Sequence, residues 1–236
     1  MKLGFFYFKL LFLSTIRNIP ALFFTLIFPP LMLLLFAHQW EGKNALGAVI
    51  IFFNYSVQTV ALMLLGMGVT QEKNSDWAKY LRTLPVGIKP MIMGRIFHTI
   101  ALSFINLVTL SFVALFILKL PLPIGNLFYF GFIALAGSIP MALLGMTIGY
   151  AANPESSRSI FTLLNLLLLF GSFALPSVGF FGILREFVPT YQWSQISFSH
   201  INSEINPTTP LLWLGGYSIL FILLFKKVYS RSLKKT

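Results

Sequence analysis

Residues 46–85 read LGAVIIFFNYSVQTVALMLLGMGVTQEKNSDWAKYLRTLP. From Leu46 to Val69 no side chain is charged. A helix of that length reaches about 36 Å, enough to cross the roughly 30 Å hydrocarbon core of a bilayer. The character then changes abruptly at Gln71-Glu72-Lys73-Asn74-Ser75-Asp76. Ser75 is placed to cap a new helix, Asp76 favours its first turn, and Pro85 ends it. Within it Trp77, Tyr80, Leu81 and Leu84 recur at i, i+3, i+4 and i+7, while Lys79 and Arg82 fall elsewhere. One stretch thus predicts a membrane span followed at once by a short amphipathic helix.

Outward from this stretch, further apolar runs are expected to span at about 19–37, 96–118, 127–151 and 160–182, and Leu211 to Phe225 forms a shorter one. Those last 15 residues fall short of the bilayer, so the span is extended to 208–225 by borrowing Thr208 to Pro210 as a first turn. The chain is 57% hydrophobic and 10% charged, with a mean hydropathy of +0.83. No water-facing surface of a soluble domain of 236 residues accommodates that balance. The expected fold is an all-α polytopic membrane protein, a single transmembrane domain over residues 1–236 with six transmembrane helices.

Lysine and arginine fix the expected orientation, because their bias between alternate loops sets topology. Fourteen of the 17 basic residues fall on one side; Lys43, Lys119 and Arg185 fall on the other. Both termini and the loops 71–95 and 152–159 are therefore expected in the cytoplasm, which requires an even number of spans. A net charge of +11 is explained by juxtamembrane bases held against anionic lipid, and no folded basic module points to nucleic acid. Residues 1–18 place Lys2, Lys9 and Arg17 within about a quarter of a helical wheel. With no small-residue cleavage site, they read as a retained N-terminal interfacial helix with snorkelling bases. Residues 183–207, rich in aromatic residues and bounded by prolines, predict a short re-entrant or interfacial segment before the last span, with Tyr191 and Trp193 at headgroup depth.

Chemistry is sparse. The expected spans contain no Asp or Glu, which argues against an ion-coupled carrier. Neither H-E-x-x-H, nor G-x-S-x-G, nor a P-loop is present. With no cysteine and with His38, His98 and His200 scattered, no catalytic, cofactor or metal residue is assigned. Asn54, Gln58, Asn106 and Asn165 are polar groups within spans, read as interhelical glue or as contacts on a substrate pathway. Pro29-Pro30, Pro140 and Pro176 are expected to bend helices, and Gly145 and Gly149 form a G-x-x-x-G that permits close packing. The amphipathic face of residues 75–85 has two open fates: to lie on the bilayer, or to dock into a groove on a cytoplasmic protein.

Over nearly its whole length the sequence resembles the membrane subunit of an ATP-binding-cassette (ABC) exporter of the ABC-2 type. The resemblance rests on Arg17-Asn18-x-Pro20 before the first span, on Pro29-Pro30 within it, and on a second span ending in Glu72 followed by Trp77 and Leu81-x-x-Leu84-Pro85. Asn153-Pro154-Glu155-Ser156-Ser157-Arg158 and the segment before the last span complete it. What the resemblance implies is a coupling helix between spans two and three, seated in a cleft of a separate P-loop ATPase. Glu72, Trp77, Leu81, Leu84 and Pro85, with Arg17, are then the expected contacts. It further implies a half-transporter paired with a second permease copy, likewise a homodimer, and with two ATPase subunits. ATP and Mg would lie on those partners, in a prokaryotic plasma membrane. Cargo ranges from drug-like compounds in multidrug efflux to peptides, lipids and glycan precursors. Lys73 and Asn74 replace residues often found after the matching Glu. The alternative function is a membrane anchor or sensor subunit that recruits a cytoplasmic partner without transport.

Overall fold

The computed structural model describes residues 2–36, 43–73, 75–83, 89–176 and 178–233, without the side chains of residues 21, 36, 43, 44, 81–83 and 233. Among the described residues all regular structure is helical. Helix α1 (Lys2–Arg17) leads into α2 (19–36), and α3 (43–72) precedes the short α4 (Asp76–Thr83). Then come α5 (89–117), α6 (Ile124–Ala151) and α7 (Pro154–Phe173), two short helices α8 (Gly179–Glu186) and α9 (Pro189–Ser199), and α10 (Thr208–Leu233). Five of these, α3, α5, α6, α7 and α10, are long and apolar enough to cross a membrane. Helix α2 is shorter, with an apolar stretch from Phe23 to Leu35.

Helix α3 is the axis of the bundle. It packs against α5, α6, α7 and α9, whereas α10 rests on α6 and α9 and α1 lies along α5. The contact between α3 and α6 is made backbone to backbone. A Cβ on Gly145 would lie 2.7 Å from the carbonyl oxygen of Ala61, and one on Gly149 would lie 2.6 Å from that of Gly66. Any larger residue would force the helices apart. The Thr70 hydroxyl donates to the Gly149 carbonyl at 3.0 Å across the same seam. Here α3 widens into a π-helical turn over Thr59–Leu64.

Helix α2 also contains a π turn, Phe23–Ile27, just before Pro29 and Pro30. The carbonyl of Thr25 would accept from residue 29 in an α register and from residue 30 in a π register, and neither proline has an N–H. Asn106 of α5 fills the gap, its amide nitrogen donating to that carbonyl at 2.6 Å. The proline pair of α2 is thus matched by an amide on the neighbouring helix.

Helices begin and end at backbone signals that hydropathy overlooks. Helix α7 starts at Pro154, with Glu155 in its first turn, as the N-terminal preference for proline and acids dictates. Arg158, expected in a loop, lies within the helix. The same helix closes at Phe173, so Pro176 lies beyond it and bends no span. Helix α10 includes Thr208 to Pro210 at its start and runs well past Phe225.

Candidate functional site

At the end of α3 nearest α4, one carboxylate gathers three helices. Glu72 receives Arg95 of α5 in a 2.7 Å ion pair on Oε2, and Oε1 accepts the hydroxyl of Tyr7 from α1. Arg95 also donates to the Tyr7 oxygen at 3.3 Å and lies 5.9 Å from the centre of its ring. The Arg95 side chain is 6% exposed and that of Glu72 18%. Removing either charge would therefore strand the other with little water, at about 3–5 kcal/mol. Burial pushes the Tyr7 phenol above its ordinary range against the pull of the Arg95 cation, so the hydroxyl stays a donor. Close packing brings Tyr7 there, since a Cβ on Gly94 of α5 would lie 2.8 Å from both the Gly4 carbonyl and the Tyr7 ring.

The next residue holds a different helix. Lys73 Nζ donates to the carbonyl of Tyr150 at 3.0 Å and to that of Ala152, putting a cation on the carbonyl end of α6, where the helix dipole favours it. Ser75 then makes the turn: its hydroxyl donates to the Glu72 carbonyl at 2.7 Å and accepts from the Ala78 N–H at 3.2 Å. That bond is the N-cap expected from the sequence. Asp76 pairs with Lys79 at 2.9 Å in full solvent, and that cation holds the Asp76 carboxyl below its usual range.

Helix α4 buries Ala78 and exposes Trp77 and Tyr80, whose rings lie 5.9 Å apart. Trp77 is 42% and Tyr80 55% exposed. Of the other residues expected to contact a partner, Arg17 is exposed at the end of α1. Leu84, Pro85 and the side chain of Leu81 lie outside the described residues. Glu72 is engaged within the chain by Arg95 and Tyr7, in a bracket beneath α4.

The four amides all sit between helices. Asn54 donates to Ser194 at 3.1 Å, and Gln58 donates to the side chain of Asn165 at 2.8 Å and to its backbone at 3.0 Å. Asn165 in turn donates to Thr59 at 3.3 Å, and Asn106 holds Thr25 as described. His98 is buried and shares a 3.0 Å hydrogen bond with Thr15, joining α5 to α1. Of the four amides only Asn165 is among the described residues lining an open cavity of about 930 Å³ walled by α1, α2, α3, α4, α5 and α7. Glu72, Trp77 and Arg158 stand on its wall.

Sequence reading missed Tyr7, Arg95 as a partner rather than a loop charge, and Lys73 as a cap. A signal for Arg95 existed. A carboxylate at the end of one span needs a counterion, and Arg95 stands near the start of the next span, which returns from the same side.

Fold and site together define a polytopic helical membrane protein with a polar bracket beneath an exposed short helix. Compared with known proteins, the chain is 24% identical over 196 residues to a protein of Bacillus subtilis (strain 168) named "Putative transport permease YvfS". The match covers 80% of this chain and 77% of that protein. It agrees with the ABC-2 permease resemblance read from the sequence. No family model matches the chain, and no solved structure matches it.

Proposed function

We propose that this chain is the permease subunit of an ATP-binding-cassette exporter, forming the transmembrane pathway for an amphipathic substrate while a separate ATPase supplies the energy. The observation that carries this reading is α4, which presents the aromatic side chains of Trp77 and Tyr80 outward from a root pinned to the bundle. A helix lying idle on lipid has no need of such a root. A helix that transmits force does.

In this reading α4 is the coupling helix and both chain ends are cytoplasmic. The bundle has six spans, with 19–36 as the first, and works as a dimer with two ATPase subunits that bind ATP and Mg. A displacement of α4 acts through Ser75 on the end of α3. Glu72 passes it to α1 and α5, and Lys73 passes it to α6. Because α1 and α3 are walls of the 930 Å³ cavity, their movement changes its access, as alternating exposure of a transport site requires. The glycine seam keeps α3 and α6 moving as one body, and the Thr25 carbonyl held by Asn106 keeps the bent α2 against α5.

The test is co-purification with a candidate P-loop ATPase co-expressed with this chain. Trp77→Asp together with Leu81→Asp is expected to abolish the complex and the transport-coupled ATPase activity while the permease still folds. Undiminished association of the double variant would refute the coupling role of α4.

A further inference from the structure

The cavity beside α4 has a chemical polarity along its length. Its wall follows α3 from Tyr55 to Glu72, about 25 Å of helix rise, so it is an elongated groove. At about 930 Å³ it stands near the top of the range for sites that enclose a drug-sized ligand. Away from Glu72 the wall is mostly apolar, carrying Phe24, Phe28, Met63 and Leu166 beside the polar Thr59 and Asn165, and the flexible Met63 thioether adapts to an apolar body.

The charged groups gather at the Glu72 end. Glu72 is the only carboxylate among the described lining residues, and Arg95 and Tyr7 already occupy its two oxygens. Arg158, exposed in the early turns of α7, has no ion-pair partner among the described residues. The wall therefore carries one cation in excess. A cationic amphiphile would meet Arg158 as a like charge and find no free acceptor of opposite sign, whereas an anion would form a charge-assisted contact with the guanidinium. Trp77 of α4 lines the same groove, offering a large amphipathic ring beside the headgroup.

We propose that this groove binds an amphiphile with an anionic headgroup, the head at Arg158 beside Trp77 and the apolar body along α2 and α3 toward Phe28. The inference rests on the permease reading and narrows its cargo from amphiphiles in general to anionic ones. It also places the ligand in contact with the helix assigned to the ATPase, so that occupancy and docking are linked through one side chain.

The purified chain in neutral maltoside micelles, without any ATPase, is titrated with bromine-labelled dodecyl phosphate and, for comparison, bromine-labelled dodecyltrimethylammonium, reading the quenching of tryptophan fluorescence. The phosphate is expected to quench saturably and to bind at least tenfold more tightly than the cation. Arg158→Gln is expected to weaken the phosphate tenfold or more, Arg158→Lys to retain most of it, and Trp77→Phe to remove the saturable quenching. Equal binding of the two probes, an unchanged Arg158→Gln, or no saturable quenching because a second copy of the chain fills the groove would overturn the proposal. So would displacement of the probe by inorganic phosphate alone, which would make the site an anion site with no use for the apolar wall. If the phosphate probe fails while the ATPase still co-purifies, the groove assignment falls and the permease reading stands. Probe binding by a chain that never associates with the ATPase would refute the permease reading instead.

Discussion

Helices α4 and α9 look alike in the sequence and end in opposite places. Each is a short segment near a proline, between spans, with a tryptophan and a tyrosine no more than three residues apart. In α9 the tryptophan goes inward: Trp193 is fully buried and its indole N–H donates to the Ile133 carbonyl at 2.9 Å. The ring fills the space over Gly137, where a Cβ would lie 2.1 Å from it. Thr190, Gln192, Ser194 and Ser197 are buried around it, and three of them hydrogen-bond to α6-independent partners: Thr190 to Leu168, Gln192 to Glu186, and Ser194 to Thr190 and Asn54. In α4 the tryptophan faces out. The difference teaches that exposure follows packing: the slot over Gly137 takes the Trp193 ring inward, whereas the Trp77 ring stays 42% exposed. Trp193 is therefore part of the protein core.

The largest expected effect breaks the buried half of this comparison. Trp193→Ala should destabilise the fold by about 3–5 kcal/mol, measured by denaturant unfolding in mixed micelles. An effect below about 1 kcal/mol would mean that the slot over Gly137 contributes little. Next is the bracket beneath α4. Glu72→Gln should cost about 3 kcal/mol because Arg95 remains as a buried cation, and adding Arg95→Met should recover part of the loss. Asn106→Leu follows at about 1–3 kcal/mol, since it removes the buried amide that donates to the Thr25 carbonyl beside the proline pair. The smallest effect on stability belongs to the exposed half. Trp77→Asp should change unfolding by no more than about 0.5 kcal/mol, although it is expected to remove ATPase association.

The span pattern was legible because lipid imposes a simple rule, long charge-free helices, and the runs around α3, α5 and α6 obey it openly. Helix ends were less legible. Hydropathy registers side chains, while α7 begins where Pro154 and Glu155 satisfy backbone requirements and closes before Pro176. The Ser75 cap and the exposed face of α4 could be read because capping and periodicity are local. Tyr7, Arg95 and Lys73 could not, since their meaning lies in contacts between residues far apart in the chain: Tyr7 with Glu72, and Lys73 with the end of α6. The match of Asn106 to Pro29-Pro30 belongs to the same class. Sequence alone shows a surplus amide and a deficit of N–H groups without showing that they face each other.

The absence of cysteine makes a direct test of the central claim clean, because each introduced thiol is the only one in the chain. Single cysteines at Trp77 and Tyr80 of α4, and at Tyr191 and Gln195 of α9 as controls, are treated with a short bifunctional thiol-to-amine reagent in membranes that also contain the ATPase. Cross-links to the ATPase are expected from positions 77 and 80 and none from 191 or 195. Cross-links from α9, or none from α4 in a complex that still co-purifies, would contradict the coupling role of α4.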